Sequence, residues 1–207
     1  MSKNGDRSTP LLCAGSEIGC ITEYFQSLSL ALRSVSHETV NAIANALLSA
    51  YHEERAVFLI GNGGSASLAS HFACDLGKGT TARIQHGRRF RAHSLTDNIA
   101  MMTAWANDAN YADIFAEQLR NFVKPRDVVL AISGSGNSPN VLNGLEVARE
   151  RGAFCIGLTG FRGGKMKPLC DLCLVVPSDN MQVIEDIHLS VAHALFTTIR
   201  RVLEAGL

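Results

Sequence analysis

The sequence predicts an α/β fold, a three-layer α-β-α sandwich around a central parallel sheet, on three observations. Short, nearly unbroken apolar runs at residues 56–60, 127–132 and 172–176 have the length and composition of strands covered on both faces. The first two run directly into glycine- and serine-rich segments, Gly61-Asn62-Gly63-Gly64-Ser65 and Ser133-Gly134-Ser135-Gly136-Asn137-Ser138. Stretches of helical periodicity alternate with the strands, which is the grammar of parallel sheets built from strand, crossover helix and strand.

Each element follows in order. Residues 1–16 are polar at the start and read as a flexible leader, and residues 17–207 read as a single domain. Residues 17–50 carry apolar positions at helical spacing, with a break around Ser34, Ser36 and His37-Glu38. Two helices before the first strand offer spare apolar surface, as oligomerisation elements do. Strand 56–60 leads through the first loop into a helix expected at 66–76. Between the two loop units, Ser94-Leu95-Thr96-Asp97 precedes a helix at about 98–106. Strand 127–132 leads through the second loop into a helix at 139–151, opened by Pro139 in its first turn. A weaker third unit pairs strand 154–158 with Thr159-Gly160, strand 172–176 follows, and a final helix spans about 181–203.

The bulk properties exclude several classes. The chain has 207 residues, enough for one substantial core, with Lys+Arg and Asp+Glu at 19 each. A neutral chain has no global attraction for nucleic acid, and the local cluster Arg83 to Arg91, with His86, Arg88 and Arg89, reads as a solvated surface connector or a contributor to an anionic site. No direct nucleic-acid binding is expected. No apolar run approaches the roughly 20 residues that span a bilayer, and no membrane association is expected. The first ten residues lack the apolar centre of a secretory signal. Six cysteines (Cys13, Cys20, Cys74, Cys155, Cys170, Cys173) are too sparse for a disulfide scaffold and read as reduced thiols of a cytoplasmic protein. Cys170 and Cys173 have CxxC spacing without a second pair, and the segment reads as the entry to a strand.

The two loops carry the chemistry. Where a strand turns into a helix, the first helical amides have no internal partners and point at whatever sits there, and glycine allows close approach of an anion. Ser65, Ser133, Ser135 and Ser138 add hydroxyl donors and are the phosphate-binding candidates, with Gly63 and Asn62 shaping the first loop. Neither loop has the GxGxxG arrangement of a dinucleotide site or the GxxxxGK of a triphosphate site.

A second constellation lies on two helices. His71 and Asp75 are four residues apart and share a helical face, and Glu185 and His193, eight apart, nearly do. If these helices meet, His71, Asp75, Glu185 and His193 form a nitrogen-and-oxygen site suited to Zn²⁺ or a similar ion. The same groups suit direct acid–base chemistry at a carbonyl. His188, three residues after Glu185, fits a supporting hydrogen bond, another subunit's site or simple packing.

With these motifs in hand, the chain resembles the SIS (sugar isomerase) domain family and, within it, the sedoheptulose 7-phosphate or phosphoheptose isomerases. The likeness covers about residues 20–203 and includes the first loop, His71-Phe72-Ala73, Ala106-Asn107-Asp108, Ile132 to Ser138, Leu158-Thr159-Gly160 with Gly163-Gly164, and Glu185-x-x-His188-x-x-x-x-His193. The resemblance implies an SIS-type sheet and a homotetramer with active sites at subunit interfaces. It implies conversion of sedoheptulose 7-phosphate into D-glycero-D-manno-heptose 7-phosphate through an enediol, toward heptose units of lipopolysaccharide or capsule. It also implies zinc, and assigns Ser65, Ser133, Ser135 and Ser138 to phosphate and Asn62, Thr96, Asp97 and Asp108 to the pocket lining. The family's pattern has glutamate where this chain has Asp75 and glutamine where it has Glu185. Asp75, with Glu185 as the other carboxylate, and His193 are the proton-transfer groups on this reading. Two other readings share the motifs: a non-catalytic SIS protein that binds the replication initiator as a tetramer, and an isomerase of another sugar phosphate.

Overall fold

The structure, a computed structural model, describes residues 21–81 and 87–206. The expected leader at 1–16, together with Cys13, Cys20, Arg83 and His86, lies outside these residues. In chain order the elements are α1 (Ile21–Arg33), α2 (His37–His52), β1 (Ala56–Gly61), α3 (Gly64–Cys74), β2 (Arg91–Ser94) and α4 (Ile99–Asp108). There follow α5 (Ile114–Phe122), β3 (Val128–Ser133), α6 (Pro139–Glu150), β4 (Phe154–Thr159), β5 (Leu172–Val175) and α7 (Met181–Ala205).

The expected break between the first helices is real. Ser36 caps α2, its Oγ accepting from the Thr39 amide at 3.2 Å. β1 and β3 are buried at every position, as their unbroken apolar sequence requires. Asp127 joins their starting ends, accepting from the amides of Ala56 at 2.9 Å and Lys124 at 2.8 Å. The five strands lie in the order β2-β1-β3-β4-β5, and every pairing is parallel.

Helices cover both faces. On one, Ile43 and Leu47 of α2, Phe72 of α3 and Ile187 and Leu195 of α7 pack against Val57, Leu59, Leu130 and Leu158. On the other, Phe115 and Leu119 of α5 and Val141 and Leu145 of α6 pack against Phe58, Ile60 and Val129. Each fully buried side chain of this size contributes about 1.5–3 kcal/mol relative to exposure. Two helices stand apart: α4 buries no residue completely, and α1 buries only Ala31 while leaving Ile21, Phe25, Leu30 and Leu32 exposed.

Sequence reading missed β2 and α5. β2 is a four-residue edge with alternating exposure, so it lacks the apolar run that betrays a doubly covered strand. Arg91 therefore opens a strand rather than belonging to a connector, and its guanidinium donates to the Glu54 carbonyl at 3.1 Å.

The strand order decides where a ligand belongs. Chain progress runs outward from β1 to β2 on one side and through β3, β4 and β5 on the other. The switch falls between β1 and β3, and in open α/β sheets the crevice outside the carboxyl ends of the strands at that point is the ligand site. The register pairs Gly61 with Ile132 and Ser133 with Thr159, so both glycine-rich loops leave the sheet at one level on either side of the switch.

Candidate active site

The first loop is built around its glycines. A Cβ on Gly61 would stand 2.8 Å from the Ser65 carbonyl oxygen, so a side chain there is excluded by the tight turn. Gly63 caps α3 with φ of +53°, a conformation that L side chains rarely adopt. The turn delivers Ser65, 7% exposed, into the first turn of α3. Asn62 is locked across the crevice: its amide donates to Asn140 Oδ1 at 2.8 Å, and the Asn140 amide donates back to Asn62 Oδ1 at 2.8 Å. The Tyr111 hydroxyl donates to the same Asn62 oxygen at 3.2 Å. Asn140 sits in the first turn of α6, so this pair ties the first loop to the second.

The second loop is held from below. Gly136 has φ of +64°, and a Cβ on it would collide with the Gly163 carbonyl oxygen. The turn at 160–166 buttresses the loop through three bonds. The amides of Gly160 and Met166 donate to the carbonyls of Gly134 and Gly136, each at 2.9 Å, and the Lys165 amide donates to Asn137 Oδ1 at 3.1 Å. Ser133 and Ser138 bring their hydroxyls to 3.3 Å, and Ser135 Oγ accepts from the Asn137 amide at 3.2 Å.

The helices carrying the second constellation do meet. His71 Nε2 lies 3.1 Å from His193 Nε2 and 3.3 Å from Asp75 Oδ2. Among the described residues, His71, Asp75 and His193 form one group whose ligand atoms all lie within 4.8 Å of one another. A tetrahedral ion with bonds of about 2.0–2.1 Å spaces its ligand atoms roughly 3.3 Å apart, so two imidazole nitrogens and a carboxylate at these separations fit zinc. Asp75 opens a π-helical turn over Asp75–Gly79 that continues α3, a distortion that recurs at functional sites.

Glu185, the expected fourth ligand, stands outside this group. Its carboxylate lies over the start of α3, where a Cβ on Gly64 would come within 2.9 Å of Oε2. The unpaired amides of a helix N-terminus favour negative charge there. Eight residues along α7 place Glu185 and His193 on one side of the helix, two turns, about 12 Å, apart along its axis, so Glu185 joins the group only if both side chains reach toward each other along α7.

A cavity of about 300 Å³ is lined by Gly64, Ser65, His71, Ile132, Glu185 and His188 among others, and Asp75, His193 and the second-loop serines are not among its lining residues. Asp186 also lines it and accepts from the Tyr24 hydroxyl at 2.6 Å, which holds the Tyr24 phenol up at about 12. His188 is 1% exposed, its Nε2 lies 3.2 Å from the Thr159 carbonyl, and burial depresses its pKa to about 4.

The remaining expected residues divide. Thr96 and Asp97 are drawn onto α3 by Ser70, whose hydroxyl meets Thr96 Oγ1 at 3.1 Å and donates to Asp97 Oδ1. Asp108 is exposed at the end of α4, accepts from the Asn107 amide at 2.8 Å, and is not among the residues lining the cavity. Sequence reading did not identify Asn140, Tyr111 or Ser70. Only Asn140, as a polar residue directly after the helix-opening proline, carried a local signal. The CxxC thiols lie apart from this site: Cys170 donates to Cys173, which raises the Cys170 pKa and lowers that of Cys173.

Comparison with known proteins bears on the family. The SIS domain family profile matches residues 23–160. A phosphoheptose isomerase of Bradyrhizobium sp. (strain ORS 278) is 41% identical over 162 residues, covering 78% of this chain and 80% of that protein. One from Helicobacter pylori (strain P12) is 38% identical over 177 residues, covering 85% and 90%. The solved phosphoheptose isomerase of Neisseria gonorrhoeae superposes with a TM-score of 0.79 at 29% identity, over 86% of this chain and 96% of that one. That of Francisella tularensis gives 0.78 at 30% identity, over 87% and 96%. Family profile, sequence relatives and solved structures coincide on one assignment, and the chain belongs to the SIS domain family, in its phosphoheptose isomerase branch.

Proposed function

We propose that this chain interconverts sedoheptulose 7-phosphate and D-glycero-D-manno-heptose 7-phosphate. The observation that carries the reading is one shared cavity: Ser65 of the first loop and His71 of the His71, Asp75 and His193 group both line it. On this reading Ser65, Ser133, Ser135 and Ser138, with the amides of both loops, hold the phosphate. Asn62 keeps the loops at a fixed separation, and the polyol chain lies along α7.

The reaction moves two protons. Asp75 takes the proton from C1 of the open-chain ketose, leaving an enediol between C1 and C2. That proton, or one from solvent, is delivered to C2, while His193 relays the other between the two oxygens. Asp75 begins within 3.3 Å of His71, which orients its carboxylate. His71, Asp75 and His193 are the residues that would hold zinc, and a bound ion would polarise the carbonyl and stabilise negative charge on the enediol oxygens. Glu185 is a second carboxylate on the cavity wall, available to the substrate rather than to that cluster.

The site is open in the single chain. His71 and His193 are both exposed, and large apolar side chains stay exposed on α1 (Ile21, Phe25, Leu30 and Leu32) and α4 (Ile99). Both features support a homotetramer with active sites completed at subunit interfaces, which would bring Asp97 and Asp108 into use. Among the described residues no helix is long and apolar enough to cross a membrane, and four described cysteines are free. These features accord with a cytoplasmic role supplying heptose to lipopolysaccharide or capsule. Purified protein incubated with sedoheptulose 7-phosphate, with and without added Zn²⁺, is expected to form heptose 7-phosphate. Its absence under both conditions refutes the reading.

A further inference from the structure

We infer that His188 is a substrate-reading residue: its buried Nδ1 accepts a hydrogen bond from a hydroxyl of the sugar. The identity of the ligand rests on the isomerase reading; the acceptor itself is an orphaned atom. The Thr159 carbonyl can only accept, so Nε2, at 3.2 Å, carries the ring proton. A neutral ring with its proton on Nε2 leaves Nδ1 as a lone-pair acceptor. That atom is buried and has no partner among the described residues. An unpaired buried acceptor is costly, and His188 lines the same cavity as Ser65, His71 and Glu185.

The chemistry of the acceptor selects its partner. A phosphate dianion has no proton to offer, so Nδ1 rejects that end of the ligand and leaves it to the loop amides and serines. A hydroxyl donates readily. His188 therefore orients the ligand, phosphate toward the loops and polyol toward α7, and favours sugar phosphates with a free hydroxyl at that depth. The depressed pKa keeps the ring neutral and accepting through the physiological range.

Two substitutions separate this role from packing. His188→Gln keeps a donor for Thr159 but loses the acceptor, whereas His188→Asn restores an acceptor near Nδ1 and loses the Thr159 bond. His188→Gln is expected to raise the KM and the calorimetric Kd for sedoheptulose 7-phosphate about tenfold, the worth of one buried hydrogen bond, while inhibition by inorganic phosphate shifts by less than about twofold. His188→Asn is expected to bind the sugar phosphate more tightly than His188→Gln despite a lower Tm. Equal sugar-phosphate affinity in wild type and His188→Gln, or a parallel loss for inorganic phosphate, overturns the inference. The calorimetric arm distinguishes the two levels. A wild type that binds the sugar phosphate tightly but does not isomerise it defeats the isomerase reading and leaves His188 to be judged by its variants. A wild type that binds sedoheptulose 7-phosphate no better than inorganic phosphate overturns the inference itself.

Discussion

Replacing Asn140 with leucine removes the clasp between the two loops while conserving side-chain volume. The structure sets the cost. Two reciprocal bonds of 2.8 Å join Asn140 to Asn62, and Asn140 is 2% exposed. At about 1 kcal/mol net for each bond, their loss alone is worth about 2 kcal/mol. Asn62 is only partly buried, so water replaces part of what its amide loses, and Tyr111 still donates to its oxygen. The expected total is therefore about 2–3 kcal/mol, a fall in Tm on the order of 5–10 °C for a chain of this size. Urea denaturation of wild type, Asn62→Ala, Asn140→Ala and the double variant reads the same link as a coupling of about 1–2 kcal/mol. In Asn140→Leu, KM for the sugar phosphate should rise as well, because the first loop is no longer held at its distance from the second. A stability loss below about 0.5 kcal/mol, within the range of an ordinary surface substitution, together with additive single variants, refutes the reasoning.

Other outcomes follow from the same geometry. Asp75→Ala should abolish turnover while leaving the competitive inhibition constant of inorganic phosphate nearly unchanged, since Asp75 touches His71 and not the loops; activity equal to wild type removes Asp75 from the mechanism. Gly64→Ala places a methyl 2.9 Å from Glu185 Oε2. It should displace that carboxylate and lower kcat/KM about tenfold with little change in Tm, and unchanged kinetics would show that the position of Glu185 is immaterial. For pH, the His188 pKa is lower in the folded chain, at about 4, than its ordinary 6.5. The unfolded state thus binds the extra proton first. Stability is fully present above about 6.5 and falls as pH drops toward 4, by about 3 kcal/mol in total. Subtracting the urea-derived profile of His188→Gln from that of wild type isolates this loss, and identical profiles contradict it.

Much of the architecture was legible because burial writes itself into sequence. The runs at Ala56 and Val128 are apolar at consecutive positions, which only a strand covered on both faces needs, and glycine follows each where the chain must turn into a helix. β2 was hidden because an edge strand of four residues with two exposed side chains has no such run. The shared face of His71 and Asp75 followed from their spacing, and His193 joins them because α3 and α7 pack on the same side of the sheet. The same reasoning put Glu185 on the His193 face of α7, and its carboxylate lies over Gly64, outside the group of His71, Asp75 and His193. Periodicity assigns a face of a helix but is silent about height along it, and the helix rise sets Glu185 against Gly64 instead of Asp75. Asn140, Ser70 and Tyr111 act through partners 78, 27 and 49 residues away, contacts that no local pattern encodes. His188 was visible as a residue but not as an unpaired acceptor, since that depends on the Thr159 carbonyl 29 residues earlier in the chain.

On the isomerase proposal, this site moves protons on a phosphorylated ketose. The most direct test of that proposal is isomerisation of sedoheptulose 7-phosphate in D₂O, followed by proton NMR. Proton transfer through an enediol predicts deuterium at C2 of the heptose 7-phosphate formed, and at C1 of recovered ketose, with neither signal in Asp75→Ala. Unaltered ketose after prolonged incubation with wild type and Zn²⁺, or product formed by Asp75→Ala at the wild-type rate, would contradict it.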